Sequence, residues 1–264
     1  MKFAVNFSNP LIRLIKEGRV ELDLIKCPDW EGMLEEAAPH RPVTIHFSLD
    51  AGLGTTLDAD FSRIDRFLQT TRTPHVNSHL VTPRSTTPDD PTELRRVNDL
   101  WRQEIGLMVD HFGAERVVLE HYPYTLANPH IAPAADVTQF SSVIEDTGCQ
   151  LLVDLSHARI TADTLGVDVK DYIGAMPLDR LAELHVTGVR SYGGVLTDHF
   201  GMDEEGWRVF EWALQAIRAG HWREPRVVAF EYGGVGEVFV WRTNYDVLKD
   251  QVPRLYDLVH SAEM

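Results

Sequence analysis

Short apolar runs alternate along the chain with longer amphipathic segments, and this pattern repeats about eight times. The short runs are rich in β-branched residues and have the length of strands, whereas the long ones place apolar residues at helical spacing. The predicted strands span residues 2–8, 21–27, 43–49, 75–81, 116–122, 150–157, 182–189 and 226–233. The clearest predicted helices span residues 91–113, 136–148, 203–220 and 244–259. The pattern therefore predicts an α/β protein in which strands and helices alternate.

Eight strand–helix units in 264 residues are typical of a (β/α)8 TIM barrel. A doubly wound sheet is the alternative, but the glycine-rich first turn of dinucleotide-binding proteins is missing. No long linker divides the chain, and residues 81–93 are predicted to be an extended loop after the fourth strand. We therefore expect a single TIM-barrel domain over residues 1–264, with its chemistry at the C-terminal ends of the strands.

Composition narrows the partners and the compartment. The 40 acidic and 25 basic residues give a net charge of −15, and Lys and Arg form no cluster. Nucleic acid is therefore an unlikely main partner, because phosphate binding usually needs a basic face. No apolar stretch approaches the ~20 residues of a membrane span, and the N-terminal segment is a poor signal peptide. With only Cys27 and Cys149 as thiols, we expect a cytoplasmic protein without disulfides or membrane contact.

Metal-ligating residue types occur at the predicted C-terminal ends of six successive strands. These strand ends, with the loop after the seventh strand, supply His46, His79, Glu120, Asp154, His157, His185, Asp198, His199 and Glu231. A single such histidine is more often a hydrogen-bonded structural residue, and a single Asp or Glu can cap the next helix. Six strands that all carry such residues to one edge are hard to explain as independent structural choices.

Buried carboxylates make the metal interpretation stronger. Glu120 in "VVLEHY" and Glu231 in "VVAFEYG" each follow a largely apolar run, where an ionised group is costly unless it is paired or binds a metal. Imidazole and carboxylate together suit zinc, manganese or iron(II). One ion takes three or four protein ligands, so this number of candidates predicts two or three ions. Candidate supporting groups near the strand ends are Asn6, Lys26, His121, Tyr122, Arg159, Arg190 and Tyr232.

The order His, His, Glu, Asp-x-x-His, His, Asp/His, Glu resembles the xylose isomerase-like TIM-barrel superfamily, and the resemblance runs from His46 to Glu231. The segments "ELHVTGV" and "DHFGMDEEGW" look most like its multinuclear non-haem iron-dependent oxidative (MNIO) branch. This resemblance implies that the nine candidate residues at the strand ends and in the loop after the seventh strand are metal ligands. It also implies that Glu120 and Glu231 are catalytic. The usual Asp-x-His pattern is replaced here by adjacent Asp198 and His199, with Thr197 at the earlier position.

The resemblance implies a multinuclear oxidative enzyme that acts on a peptide or small-molecule substrate, in some members with a partner protein that presents the substrate. The implied cofactors are two or three divalent ions, with iron preferred and zinc or manganese as alternatives. A second hypothesis is a sugar-type isomerase or epimerase with one ion bound by Glu120, Asp154, His185 and Glu231. An endonuclease IV-like phosphodiesterase is disfavoured by the negative charge. A metal-binding barrel without activity is the remaining alternative.

Overall fold

The computed structural model describes residues 1–261 and contains the alternating strands and helices that the pattern predicts. The strands are β1 (Lys2–Asn6), β2 (Leu24–Pro28), β3 (Val43–His46), β4 (Asp50–Ala51), β5 (Val76–Leu80), β6 (Val117–His121), β7 (Gln150–Asp154), β8 (Leu181–Val186), β9 (Gly188–Tyr192), β10 (Val195–Phe200) and β11 (Val227–Phe230). The helices are α1 (Asn9–Lys16), α2 (Glu31–Ala37), α3 (Phe61–Thr70), α4 (Pro91–Phe112), α5 (Ala132–Ala135), α6 (Val137–Thr147), α7 (Leu155–Leu165), α8 (Val169–Gly174), α9 (Glu204–Arg218) and α10 (Tyr245–His260). The four predicted helices correspond to α4, α6, α9 and α10.

Nine strands form one curled parallel sheet in the order β3-β2-β1-β11-β8-β7-β6-β5-β4. The predicted α/β class and parallel sheet are confirmed, and all eight predicted strands lie in this sheet. The sheet differs from the predicted barrel in having nine strands and in not being closed. Residues 262–264 of the predicted domain lie outside the described residues. No helix within residues 1–261 has the length and apolar character needed to cross a bilayer.

The opening in the sheet lies between β3 and β4: the predicted strand 43–49 ends at His46, and β4 begins at Asp50, beyond the predicted range. β3 pairs with β2, and β4 pairs with β5. Side chains bridge the gap in place of a continuous ladder: the Phe47 N–H donates to Asn77 Oδ1 at 2.7 Å and the Ile45 N–H to Thr73 Oγ1 at 2.9 Å. These two hydrogen bonds satisfy buried backbone groups that would otherwise lack a partner.

Alternation along each strand separates an inner face from an outer face. Successive side chains of a strand point to opposite faces, so Val118 lies on the face of Glu120, and Leu152 on the face of Asp154. Val118 and Leu152 form a small buried cluster with Ala182, whereas Val117 and Leu119 belong to the large core shared with the helices. The polar residues at the inner face therefore lie above an apolar floor.

A two-stranded antiparallel hairpin of β9 and β10 follows β8. Its turn contains Gly193 and Gly194 at φ values of 60° and 84°, the left-handed conformations that tight hairpin turns require. The sequence interpretation treated this segment as a loop, so the hairpin is a correction. It carries Asp198 and His199 over the carboxyl edge of the sheet.

Candidate metal centre

Strand register brings the predicted residues together at the carboxyl edge of the sheet. His79 on β5 pairs in register with Glu120 on β6, and Asp154 on β7 pairs with His185 on β8. Glu231 directly follows β11, which neighbours β8. Since parallel strands end at one edge, side chains from separate parts of the chain converge there.

Three groups of side chains have ligand atoms close enough to hold a metal ion, all within 4.8 Å of one another in each group. The groups are His46, His79 and Glu120; His46, His185 and Glu231; and Glu120, Asp154 and His157. Glu120 and His46 are each shared by two groups. Seven of the nine predicted ligands are therefore brought together, whereas Asp198 and His199 stand outside these groups.

Asp154 both caps a helix and faces the site. Its Oδ1 accepts the backbone N–H groups of Ser156 at 2.6 Å and His157 at 2.9 Å, so it is the N-cap of α7. Its Oδ2 is buried without a hydrogen-bond partner. The predicted strand 150–157 therefore ends at Asp154, and His157 lies in the first turn of a helix rather than in a turn beyond the strand.

Asp198 and His199 face the same side because β10 is irregular between Thr197 and Phe200. His199 is the only non-glycine residue of the described chain with a positive φ, at 60°. This left-handed conformation is strained for a residue with a side chain, and it breaks the alternation that would send the two side chains to opposite faces. His199 Nε2 lies 3.6 Å from Asp198 Oδ2, which lies 3.0 Å from His157 Nε2. The irregular backbone thus compensates for the adjacent placement of Asp198 and His199, which replaces the Asp-x-His spacing.

Backbone carbonyls fix the orientation of two of these histidine rings. His157 Nδ1–H donates to the His121 carbonyl at 2.9 Å, and His199 Nδ1–H donates to the Glu231 carbonyl at 3.0 Å. Both bonds leave Nε2 directed at Asp198. Metal-ligating histidines characteristically use their second ring nitrogen in this way.

Three further buried residues, absent from the predicted ligand set, extend the site inward. Glu183 Oε1 accepts from His185 Nε2 at 2.7 Å and from Lys26 Nζ at 3.2 Å. Its other oxygen contacts His75 Nε2, and Lys26 also pairs with Glu231 at 2.7 Å. The sequence interpretation named Lys26 only as a supporting candidate and missed Glu183. The i, i+2 spacing of Glu183 and His185 on one strand was the available signal.

Unsatisfied buried atoms test whether the site fits a metal. Both carboxylate oxygens of Glu120, Asp154 Oδ2 and His185 Nδ1 are buried without a hydrogen-bond partner. Buried polar atoms are rarely left without partners. His185 Nδ1 lies 3.3 Å from Glu120 Oε1 and 3.5 Å from Glu231 Oε1, so unpartnered donor atoms point towards common centres. The donor set fits divalent cations.

The carboxylates hold nearby histidines protonated in the metal-free chain. Burial opposes the charge on His79, but Glu120 and Asp50 outweigh it and raise the pKa of His79 to about 9. Burial likewise opposes the charge on His185, and Glu231 together with Glu120 raises its pKa to about 10. His46 behaves differently, because burial and the charge of Lys26 lower its pKa to about 3. A cation would have to displace the protons of His79 and His185.

A cavity of about 420 Å³ opens at the carboxyl edge of the sheet, where the candidate ligands lie. His46, His79, His157, His199 and Glu231 form its polar floor. Its walls include the apolar side chains of Phe7, Trp30, Met33, Val235 and Phe239. A pocket with an apolar wall and a polar floor is typical of a binding site for an organic ligand.

A family model for the "RiPP precursor modification enzyme MbnB/TglH/ChrH" matches residues 25–221. The chain belongs to this family. The match includes every predicted ligand except Glu231. A UPF0276 protein of Acaryochloris marina is 24% identical over 229 residues, which cover 81% of this chain and 76% of that protein. The suspected closeness to the MNIO enzymes is confirmed.

Solved structures support the fold. D-psicose 3-epimerase, crystallised with D-fructose, superposes with a TM-score of 0.60 at 13% identity over the full length of both chains. A xylose isomerase domain-containing protein of Salmonella typhimurium has a TM-score of 0.62 at 13% identity, covering 98% of this chain and 97% of the other. Both show that the fold is xylose isomerase-like. Family and fold together support a metal-dependent enzyme with a multinuclear metal cofactor.

Proposed function

We propose that the protein is a multinuclear iron-dependent oxidative enzyme that modifies a peptide substrate. The observation that carries the proposal is the sharing of ligands: Glu120 and His46 each belong to two of the three groups that could hold an ion. One ion would need only one such group. Membership of a family of RiPP precursor modification enzymes supports a peptide as substrate.

The proposed ligands are His46, His79, Glu120, Asp154, His157, His185, Asp198, His199 and Glu231. Iron(II) ions with open positions would supply oxygen and substrate binding. The chain's own contribution is geometric and electrostatic: Glu120 would serve two neighbouring ligand groups, and the backbone carbonyls that orient His157 and His199 would leave their Nε2 atoms available as ligands. Glu120 and Glu231 are the proposed catalytic residues, as the resemblance implies; Glu231 lines the cavity, and Glu120 lies 3.2 Å from the cavity-lining His79.

A sugar-type epimerase is the second candidate, since its single-ion site would need only Glu120, Asp154, His185 and Glu231. His46 and His79 distinguish the two hypotheses. His79 Nε2 lies 3.2 Å and His46 Nε2 3.7 Å from Glu120 Oε2. A single-ion enzyme has no use for both histidines at this carboxylate.

Metal analysis tests the proposal directly. Protein purified without oxygen is expected to contain two or three iron ions per chain, as the ligand groups imply, and His46→Ala or His79→Ala should lower that number. Exposed His111 provides a control as His111→Ala, which should leave the metal content unchanged. One manganese or cobalt ion per chain, retained in both site variants, would establish the epimerase alternative instead.

Residues 1–264 are also proposed to act as one domain and to work in the cytoplasm. A partner protein that presents the peptide is proposed from the resemblance to the MNIO enzymes. Co-purification of the tagged full-length chain with proteins encoded beside it would test the partner, and recovery of the chain alone would count against it.

A further inference from the structure

A buried polar chain lies on the inner side of His185, away from the face that the metal groups share. His185 Nε2 lies 2.7 Å from Glu183 Oε1 and also contacts Lys26 Nζ. The opposite ring nitrogen, Nδ1, faces Glu120, Asp154 and Glu231 and has no hydrogen-bond partner. Glu183 and Lys26 thus both contact one ring nitrogen, and the other remains for a metal.

Glu183 is itself held by two further residues. Lys26 Nζ donates to Glu183 Oε1 at 3.2 Å, and His75 Nε2 contacts the other carboxylate oxygen. Lys26, His75 and Glu183 are each no more than 5% exposed. Both carboxylate oxygens of Glu183 are therefore engaged by neighbouring side chains, and the group is fixed in position.

Lys26 also connects the chain to a second proposed ligand. Its ammonium group pairs with Glu231 Oε1 at 2.7 Å. One cation consequently contacts both Glu183, behind His185, and Glu231, beside it. A buried charged network of this kind is costly unless its members are paired.

We propose that Glu183, supported by His75 and Lys26, is a positioning residue that holds His185 Nδ1 towards the metal ions. This inference rests on the proposed metal centre. A carboxylate behind a histidine ligand fixes the ring and its tautomer and makes the ligating nitrogen more basic. Loss of such a partner characteristically weakens metal binding about 10–100-fold.

Cobalt(II) titration of the metal-free full chain, followed by visible absorption and by competition with a chelator, tests the proposal. Glu183→Gln is expected to weaken the ion bound by His185 about 10–100-fold and to shift its absorption band. Glu104→Gln is the matched control, because Glu104 is equally buried but lies in a different network. It should bind cobalt as the wild type does.

His75→Gln keeps the test decisive if Glu183→Gln does not fold, because it removes one support of Glu183 without removing a charge from that carboxylate. It should weaken cobalt binding in the same direction and by less. Unchanged affinity and spectrum in a folded Glu183→Gln or His75→Gln chain would overturn the positioning role. A wild-type chain that binds fewer than two ions would instead contradict the proposed multinuclear function, so the two failures are distinguishable.

A separate observation concerns the wall of the cavity. Arg242 lines it beside Asp198 and Glu231, and its Nε is buried without a hydrogen-bond partner. Within residues 1–261, no carboxylate lies within the 4.0 Å ion-pair distance of this guanidinium. Its charged plane instead covers the ring of Phe239, with 4.1 Å between the guanidinium carbon and the ring centroid.

We infer that Arg242 binds a carboxylate group of the substrate, which deepens the proposed function by naming a feature of the peptide. Arginine is suited to this role because its planar fork matches a carboxylate with two parallel hydrogen bonds. The stacking on Phe239 holds the fork in place before the substrate arrives.

N-acetylglycine and N-acetylglycinamide differ in the group that Arg242 would bind, and calorimetric titration of the zinc-loaded chain compares them. Wild-type protein should bind the carboxylate at least about tenfold more tightly than the amide, as expected for a charged hydrogen-bonded pair. Arg242→Gln should lose that preference, whereas Arg254→Gln, at an arginine of α10 that pairs with Glu211 and does not line the cavity, should keep it. A preference retained in Arg242→Gln, or absent from the wild type, would overturn the inference.

Discussion

Two buried glutamates, Glu104 and Glu120, have nearly the same exposure and opposite surroundings. Glu104 is 0% and Glu120 1% exposed. The carboxylate of Glu104, on α4, accepts the backbone N–H groups of Gly52 at 2.6 Å, Gly54 at 3.2 Å and Thr56 at 2.8 Å. Both oxygens of Glu120 lack hydrogen-bond partners and face histidine rings.

The difference distinguishes a structural charge from a proposed ligand. The hydrogen bonds to Glu104 hold the turn after β4, including Gly52 at a φ of 116°, and leave little capacity for a ligand. Glu120 is surrounded by side chains that are themselves proposed ligands. Burial alone therefore does not indicate a metal ligand; buried ligand atoms that come together without hydrogen-bond partners support the proposal.

Replacing Glu120 should have the largest effect. Glu120→Gln removes the charge shared by two of the three ligand groups, so we expect loss of at least one ion and more than about 100-fold weaker metal binding, beyond the range seen for indirect supports. Elemental analysis and chelator competition measure both. Metal content equal to that of the wild type would show that Glu120 is not a metal ligand.

The protonation of His79 should give the next largest effect, a dependence of metal affinity on pH. The pKa of His79 is raised to about 9, above the ordinary histidine value of about 6.5. In the metal-free chain, the stability from its pairing with Glu120 is present below pH ~6.5 and is lost as the pH rises through about 9. Metal binding must displace this proton, so His79 alone should make affinity rise about tenfold per pH unit up to that value, and displacement of the His185 proton should add a further factor of about ten.

Cobalt titrations between neutral pH and pH 9 would measure this slope. His79→Gln should reduce it, because one titrating ligand is removed. The Glu104→Gln chain should show the same slope as the wild type. If the affinity of the wild type does not change with pH, metal binding does not displace the proton of His79.

Glu104→Gln should lower the stability of the protein and leave metal binding unchanged. An amide cannot accept all three backbone N–H groups, because its NH2 group is a donor that faces donors. We expect about 1–3 kcal/mol of lost unfolding free energy, measured by denaturant titration of the metal-free chain, with normal metal content. A loss of metal without loss of stability would contradict the distinction between the two glutamates.

Much of the fold followed from periodicity. Eight strands and four helices were predicted because each strand–helix unit repeats the same pattern of apolar positions. The end of the predicted strand 43–49 at His46 was not, because it depends on Asn77 of β5 and on Thr73 before β5, whose side chains accept hydrogen bonds from the backbone of Phe47 and Ile45. Such long-range side-chain contacts leave no periodic signal. The hairpin did leave one, the Gly193–Gly194 pair between alternating residues.

The site was predictable where a residue ends a strand. Asp154 and His185 were found because parallel strands end together, and Glu183 was missed because it lies one pleat further inside. The joint orientation of Asp198 and His199 could not be predicted, since ordinary alternation places neighbours on opposite faces. It depends on a strained backbone at His199 that contacts elsewhere must hold.

Those contacts provide the smallest predicted effect. The Thr187 hydroxyl accepts the His199 N–H at 3.1 Å and is hydrogen-bonded to Ser156 Oγ at 2.6 Å. Thr187→Val keeps the shape and removes both bonds, so we expect about 1 kcal/mol of lost stability and a modest loss of cobalt affinity. Thr187→Ser, which retains the hydroxyl, should restore the affinity. If Thr187→Val binds cobalt normally although its stability falls, His199 is held for packing and, like Glu104, belongs to the structural side of the comparison.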